Sequence, residues 1–243
     1  MAGQVELRVE GLGKRFGGVR VFAEVGFTLE AGGLMGVIGP NGAGKTTLIN
    51  VISGRLPPSE GRVLLDRHDV TGQPAHALSQ LGVARTFQQT NIFRSVSVRE
   101  NISRAARFGR RGVQPGIDRL LGEFGLAERL DEQSDKLPYG LQKMLGLLMA
   151  FATGPRVLLL DEPAAGLEHT ERHRIDAFVQ HAREAAGCSV LIIEHDMDLI
   201  RRLCPRVLVL DAGAVLADGA TAEVLARPDV ITAYLGGAED EAA

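Results

Sequence analysis

The sequence is poor in cysteine and has no long hydrophobic run. Cys188 and Cys204 are its only cysteines, and neither belongs to a C-x-x-C pair or to a metal-ligand spacing. We therefore expect two reduced, partly buried thiols, as is typical of a cytosolic protein. No apolar run approaches the roughly 18 residues of a membrane-spanning helix. The charged residues Glu6, Arg8 and Glu10 argue against a signal peptide at the N-terminus.

An excess of positive charge is also missing. The formal net charge is −3, so we expect no nucleic-acid partner. What the chain does have is length and apolar content: 243 residues, of which 45% are hydrophobic. This is enough for a sizeable core, and we predict a single domain over residues 1–243.

Strand-like and helical segments alternate along most of the chain. The predicted strands are Val5–Glu10, Leu34–Ile38, Arg62–Leu65, Val83–Phe87, Val157–Leu160, Ser189–Ile193 and Arg206–Leu210. The last three are nearly continuous leucine or β-branched runs, which are typical of central strands buried on both faces of a parallel sheet. Helical patterns at Thr170–Ala186 and Met197–Leu203 separate these strands. The alternation indicates an α/β fold with a doubly wound, parallel-rich sheet.

The middle of the chain has a different pattern. Residues 89–152 contain no strand-like run, so we predict an all-helical insert in the α/β core. Ser97 and Glu100 have the spacing of a capping box, which predicts a helix starting there. Pro138–Ala152 is apolar enough for a second, buried helix.

Residues 39–46 match the phosphate-binding loop pattern G-x-x-x-x-G-K-[ST] without a mismatch. A strand precedes the loop and a helical stretch, Thr47–Ser53, follows it, which is the context that the motif requires. Glycines let the backbone N–H groups turn toward phosphate oxygens. Lys45 is predicted to reach the β- and γ-phosphates, and the Thr46 hydroxyl to hold Mg²⁺. The predicted nucleotide-binding residues here are Gly39, Pro40, Asn41, Gly42, Ala43, Gly44, Lys45, Thr46 and Thr47.

Two carboxylates end the apolar run at residues 157–160. A buried parallel strand brings Asp161 to the carboxyl edge of the sheet, beside the phosphate loop. There Asp161 is predicted to hold Mg²⁺ through water, and Glu162 to polarise an attacking water.

These two motifs together resemble the ATP-binding cassette (ABC) ATPases, over about residues 4 to 236. The resemblance implies a RecA-like P-loop core, an N-terminal antiparallel β subdomain and the helical insert. Thr86-Phe87-Gln88 is similar to the family's glutamine loop, which implies that Gln88 contacts Mg²⁺ and the attacking water. His195 resembles the switch histidine, which contacts the γ-phosphate. Phe16 resembles the aromatic residue that stacks on adenine; a core phenylalanine is the alternative.

The family's signature, Leu-Ser-Gly-Gly-Gln, aligns with residues 137–141, of which only Leu137 and Gly140 match. Pro138 cannot supply the serine hydroxyl that touches the ATP bound to the opposite subunit. Proline is tolerated in the first turn of a helix, so we expect the helix to form and the Gly140 N–H to donate, with a weaker contact across the dimer. Glu168 stands where the inter-subunit loop usually has aspartate or asparagine. An acid at the N-terminus of the next helix is the alternative for it.

Short segments resemble the branched-chain amino acid uptake subfamily, in particular residues 82–88 and 228–236. The resemblance implies an ATPase coupled to transmembrane transport, with ATP and Mg²⁺ as cofactors. Its partners would be a second cassette, transmembrane permease subunits and, indirectly, a periplasmic or extracellular solute-binding protein. It would lie on the cytoplasmic face of the membrane. The alternatives are a nucleotide-dependent clamp with weak ATPase activity and a soluble, non-transport ABC ATPase.

Overall fold

The computed structural model describes residues 7–88, 90–109, 114 and 116–236. Its strands in these residues form a four-stranded antiparallel sheet, in the order β2-β1-β4-β5, and a six-stranded sheet, in the order β10-β9-β3-β8-β7-β6. The strands are β1 (Leu7–Phe16), β2 (Val19–Leu29), β3 (Leu34–Ile38), β4 (Glu60–Leu65), β5 (His68–Asp69), β6 (Val83–Arg85), β7 (Val157–Asp161), β8 (Ser189–Ile193), β9 (Arg206–Asp211) and β10 (Ala214–Ala220).

The six-stranded sheet is the framework of the site. Strands β3, β6, β7, β8 and β9 pair in parallel, and β10 pairs with β9 in the antiparallel sense. Every residue of β3, β7 and β8 is buried, and so are residues 207–210 of β9, whereas Arg206 is partly buried. The prediction of central strands covered on both faces is therefore confirmed. Parallel strands place their carboxyl ends at one edge, which is where ligands bind in such sheets.

Helices cover this sheet. They are α1 (Lys45–Ile52), α2 (Ala75–Gln80), α3 (Val98–Phe108), α4 (Ile117–Glu123), α5 (Tyr139–Ala152), α6 (His173–Glu184), α7 (Met197–Leu203), α8 (Thr221–Val224) and α9 (Pro228–Gly236). Alternate residues of the central strands enter two separate cores. Leu158 and Leu160 pack with the insert helices and α6, whereas Leu159 packs with α1 and the antiparallel sheet.

The antiparallel sheet is where the predictions differ most from the structure. Strand β1 runs on to Phe16, far beyond the predicted end at Glu10, and it pairs with β2, which the sequence pattern did not reveal. Three register shifts interrupt this pairing, and Gly11 and Glu24 have positive φ angles of 54° and 53°. Irregular pairing breaks the period-two alternation by which strands are recognised.

The described residues between β6 and β7 form helices joined by irregular segments and turns, with one isolated bridge. Ser97 Oγ accepts a 3.2 Å hydrogen bond from the Glu100 N–H and caps α3, as predicted. Helix α5 forms despite Pro138, which directly precedes its first residue. Residue 89, the predicted start of the insert, lies outside the described residues, so that boundary stays a prediction.

Two further expectations concern the role of Glu168 and the burial of the cysteines. Helix α6 begins at His173, so Glu168 is not in its first turn, and the interpretation of Glu168 as a helix N-terminal acid is wrong. Both cysteines are buried, as expected. Within the described part of the chain, no helix combines the length and apolar character needed to cross a membrane.

Candidate nucleotide-binding site

The phosphate loop connects β3 to α1 at the carboxyl edge of the sheet. Two of its glycines are required by geometry. Gly44 has φ 99° immediately before the first helical residue, a left-handed conformation that suits glycine. At Gly39 a Cβ atom would fall 2.0 Å from the Leu210 carbonyl oxygen. The loop therefore packs against the end of β9 in a way that only glycine permits.

Lys45 is buried, and its ammonium group contacts the backbone of the phosphate loop. Nζ donates hydrogen bonds to the carbonyl oxygens of Gly39 (2.7 Å) and Pro40 (2.9 Å). Burial lowers the pKa of Lys45, while the nearby carboxylates of Glu162 and Asp161 act in the opposite direction.

Asp161 ends β7 and is held by a residue from the neighbouring strand. Arg85 Nη2 lies 2.8 Å from Asp161 Oδ2, and both side chains are buried. Arg85 Nη1 donates to Asn50 and Ser53 at the end of α1. Desolvation lowers the pKa of Arg85, with the Asp161 contact opposing it. Arg85 thus ties the strand that carries Asp161 to the helix that follows the phosphate loop.

Glu162 is the centre of a polar cluster. Gln88 Nε2 donates a 2.7 Å hydrogen bond to Glu162 Oε2, and His195 Nδ1 lies 4.0 Å from the same oxygen. The backbone of Glu162 has φ 46°, in the left-handed region that a glutamate adopts at a cost of about 1–3 kcal/mol. The structure therefore brings the three predicted catalytic residues around one carboxylate.

The three predicted metal-binding residues also share one space. Thr46, Gln88 and Asp161 line a cavity of about 480 Å³. A hydroxyl, an amide and a carboxylate are oxygen donors of the kind that Mg²⁺ prefers. This donor set fits Mg²⁺.

Comparison with known proteins agrees with this geometry. The family model described as "ABC transporter" matches residues 22–165. The chain belongs to the ABC transporter family. A second model, "Branched-chain amino acid ATP-binding cassette transporter", matches residues 214–240 of this ABC cassette.

Individual relatives cover nearly the whole cassette. It is 36% identical to the "High-affinity branched-chain amino acid transport ATP-binding protein" LivG of Salmonella typhimurium, over 95% of this chain and 97% of that protein. BraF of Pseudomonas aeruginosa, with the same description, has the same identity and coverage. A crystal structure titled as the ADP conformation of an ATP-binding cassette of an ABC transporter has a TM-score of 0.84 at 29% identity, covering 96% of this chain and all of that one. The ABC cassette is accordingly an ATPase subunit with a P-loop α/β core.

The remaining predicted residues lie on other elements. Phe16 ends β1 with 48% of its surface exposed, so the alternative of a core phenylalanine is wrong. Lys14 Nζ stands 4.9 Å from its ring centroid. Gly140 lies in the first turn of α5, where a Cβ would be 2.3 Å from Glu171 Oε1. The carboxylate of Glu171 thus packs on the helix end where the altered signature lies.

Three buried charged residues of the site are not among the residues predicted from the sequence: Arg85, Lys143 and Glu194. A signal was present for Lys143, because it is the only charged residue of the otherwise apolar helix α5. A single charge in such a helix either snorkels to water or meets buried acceptors. Which of the two applies depends on residues far along the chain.

Proposed function

We propose that this ABC cassette powers the uptake of branched-chain amino acids or related small polar solutes. The observation that carries the proposal is the grouping of Gln88, Glu162 and His195 beside a complete phosphate loop. The names of the relatives indicate the class of cargo.

In this proposal the phosphate loop, residues 39–47, binds the nucleotide, and Lys45 contacts its terminal phosphates. Phe16, exposed at the end of β1, stacks on adenine. Thr46, Asp161 and Gln88 hold Mg²⁺, which when bound neutralises phosphate charge. Arg85 holds the Asp161 carboxylate through Oδ2 at the edge of this cavity, and the carboxylate acts as an outer ligand of the ion.

Glu162 orients and polarises the attacking water, and its carboxylate is positioned for this by the Gln88 amide. His195 stabilises charge developing on the γ-phosphate. Its side chain is largely exposed toward the open face of the site, which suits a group that meets its ligand when two cassettes close.

A second cassette would complete the site through Gly140 and the start of α5. The residues Pro138 and Leu141 favour an alternative, a nucleotide-dependent clamp that hydrolyses ATP slowly. Pro138 has neither hydroxyl nor N–H, and Leu141 is buried rather than directed at a partner. A heterodimer would avoid the weakness if the partner carried an intact signature. A soluble, non-transport cassette is the remaining alternative.

Permease subunits are proposed to dock beside the insert at the cytoplasmic face of the membrane, with a solute-binding protein acting on the outer side. The supporting feature is an open cavity of about 230 Å³ next to the Gln88 loop. Phe93 and Phe108 line it and are exposed. Exposed aromatic residues around a concave surface are typical of protein contacts.

The test is uptake in the source organism. Deleting the gene should lower the uptake of radiolabelled leucine, isoleucine and valine, with glucose uptake unchanged as the control. The wild-type gene should restore uptake, and the gene for Glu162→Gln should not. If branched-chain uptake is unchanged but that of another small solute falls, the cargo is different; if no uptake changes, the transport role is wrong.

A further inference from the structure

Lys143 is a buried cation with an unusual pair of partners. It lies one turn into α5 and is 4% exposed. Its Nζ donates a 2.9 Å hydrogen bond to the backbone carbonyl of Glu162 and a second one to the carbonyl of Ala165. Both acceptors belong to the turn that follows β7. The ammonium therefore holds the carbonyl groups of the turn that carries Glu162.

Glu194 also contacts this turn. It follows β8 and is completely buried. Its Oε1 accepts a 2.7 Å hydrogen bond from the Ala164 N–H, and its Oε2 accepts from the His195 N–H at 3.3 Å. Burial raises the pKa of Glu194, and the same desolvation lowers the pKa of Lys143. The two charges attract each other across the turn, which offsets part of the cost of burying them.

Within residues 162–165, the Glu162 and Ala165 carbonyls thus accept hydrogen bonds from the ammonium of Lys143. The Ala164 N–H donates one to the carboxylate of Glu194. The turn also needs support, because Glu162 has φ 46°. Its own N–H donates to the Ile193 carbonyl at 2.9 Å. A strained residue persists only where its surroundings fix it from several sides. Here the supports come from α5 and from the end of β8.

We propose that Lys143 and Glu194 are positioning residues for ATP hydrolysis. Together they fix the Glu162 carboxylate in the orientation that is needed to polarise the attacking water. This inference rests on the proposed role of Glu162. Because α5 starts at the altered signature, the Lys143 contacts also join the segment facing the partner's nucleotide to the carboxylate of this chain's own site.

The experiment compares four single variants of the full chain. They are Lys143→Met, Glu194→Leu, Glu194→Gln and, as a control in the core of the insert, Leu120→Ala. Affinity for a fluorescent ATP analogue with Mg²⁺ and phosphate release at saturating MgATP are measured on the same preparations. Lys143→Met and Glu194→Leu should lower kcat by roughly ten- to hundredfold, because small misplacements of a catalytic group have effects of this size. The dissociation constant should stay within about twofold, as expected for a group that acts only on the chemical step.

Glu194→Gln retains a side-chain oxygen for the Ala164 N–H and should keep more activity than Glu194→Leu. Leu120→Ala should lower the melting temperature and leave kcat near the wild-type value. If the Lys143 and Glu194 variants lose only melting temperature while kcat is unchanged, the two residues are structural and the inference is wrong. Should Lys143→Met fail to fold, the comparison of Glu194→Gln with Glu194→Leu decides.

Glu162→Gln, measured in parallel, separates this inference from the function on which it rests. If Glu162→Gln has no turnover and Lys143→Met is fully active, only the positioning role is wrong. If Glu162→Gln hydrolyses ATP like the wild type, the proposed role of Glu162 fails, and the positioning role fails with it.

Discussion

The guanidinium of Arg85 and the carboxylate of Asp161 form an ion pair 2.8 Å long in which the two side chains are only 6% and 5% exposed. Residues 85 and 161 end neighbouring parallel strands, so the pair lies at the carboxyl edge of the sheet. Asn50 and Ser53 accept further hydrogen bonds from Arg85. The pair therefore joins the proposed metal-binding carboxylate to the phosphate-loop helix.

We expect Arg85→Met to destabilise the chain by about 3–5 kcal/mol, because it leaves the Asp161 charge buried without a partner. Arg156→Met is the matched control: the Arg156–Asp66 pair has the same 2.8 Å length, but its side chains are 26% and 29% exposed. Its loss should cost only about 0–1 kcal/mol. Urea unfolding measures both. Equal losses for the two variants would show that burial does not distinguish these pairs.

Glu162→Gln should keep nucleotide binding and lower hydrolysis by roughly a hundredfold or more, the usual contribution of a general base. The amide is isosteric but does not accept a proton from water. Steady-state phosphate release and nucleotide titration measure the two properties. Glu184→Gln, on α6 in contact with Gln180, is the control and should hydrolyse ATP normally. Undiminished turnover of Glu162→Gln would exclude its role as the base.

Lys45→Ala should weaken ATP binding or hydrolysis by at least about tenfold, since one charge-assisted hydrogen bond contributes roughly 1.5–3 kcal/mol. Titration with a fluorescent ATP analogue and phosphate release check this. Arg67→Ala removes a positive charge from an exposed turn and serves as the control for net charge. Unchanged affinity together with unchanged turnover in Lys45→Ala would rule out the phosphate-binding role.

The altered signature predicts that the chain alone hydrolyses ATP slowly and that a second cassette raises its turnover. Pro138→Ser with Leu141→Gln should raise the activity of the isolated chain by about tenfold, the equivalent of about 1.4 kcal/mol in the transition state. Phosphate release by wild type and double variant, with and without the second cassette, is the measurement.

The single variant Pro138→Ser is the control for helix stability. Pro138 stands at the N-cap of α5 without a side-chain capping bond, so serine there should stabilise the helix by about 1 kcal/mol. A rise in melting temperature without a rise in turnover would separate capping from catalysis. Brisk hydrolysis by the wild-type chain alone, unaltered in the double variant, would contradict the asymmetric dimer.

The sequence was most informative where local pattern and burial coincide. Ser189–Ile193 and Met197–Leu203 have the predicted bounds, because polar residues flank both the apolar run 190–193 and the short helix. Strand β2 was missed because its pairing with β1 is irregular. Strand β6 ends at Arg85 rather than Phe87, so Gln88 lies on a loop beyond it.

In the site, too, some residues were predictable from the sequence and others were not. Motif spacing was sufficient to name Gln88, Glu162 and His195, and these residues do meet. The contacts of Arg85, Lys143 and Glu194 were not predictable in this way, because each joins positions widely separated along the chain. Only the packing of strands and helices determines that Lys143 reaches the Glu162 carbonyl rather than water.

Because both cysteines are buried, we expect the native chain to react little with thiol-specific reagents. Cys188 Sγ donates to the Pro155 carbonyl, and burial raises the pKa of Cys204 to about 12. Maleimides react with the thiolate of an accessible cysteine, whereas both native thiols are buried and the pKa of Cys204 is raised. A cysteine introduced at the exposed position of Tyr139 would therefore accept a fluorophore alone. The approach of two cassettes can thus be followed by energy transfer without first removing the native thiols.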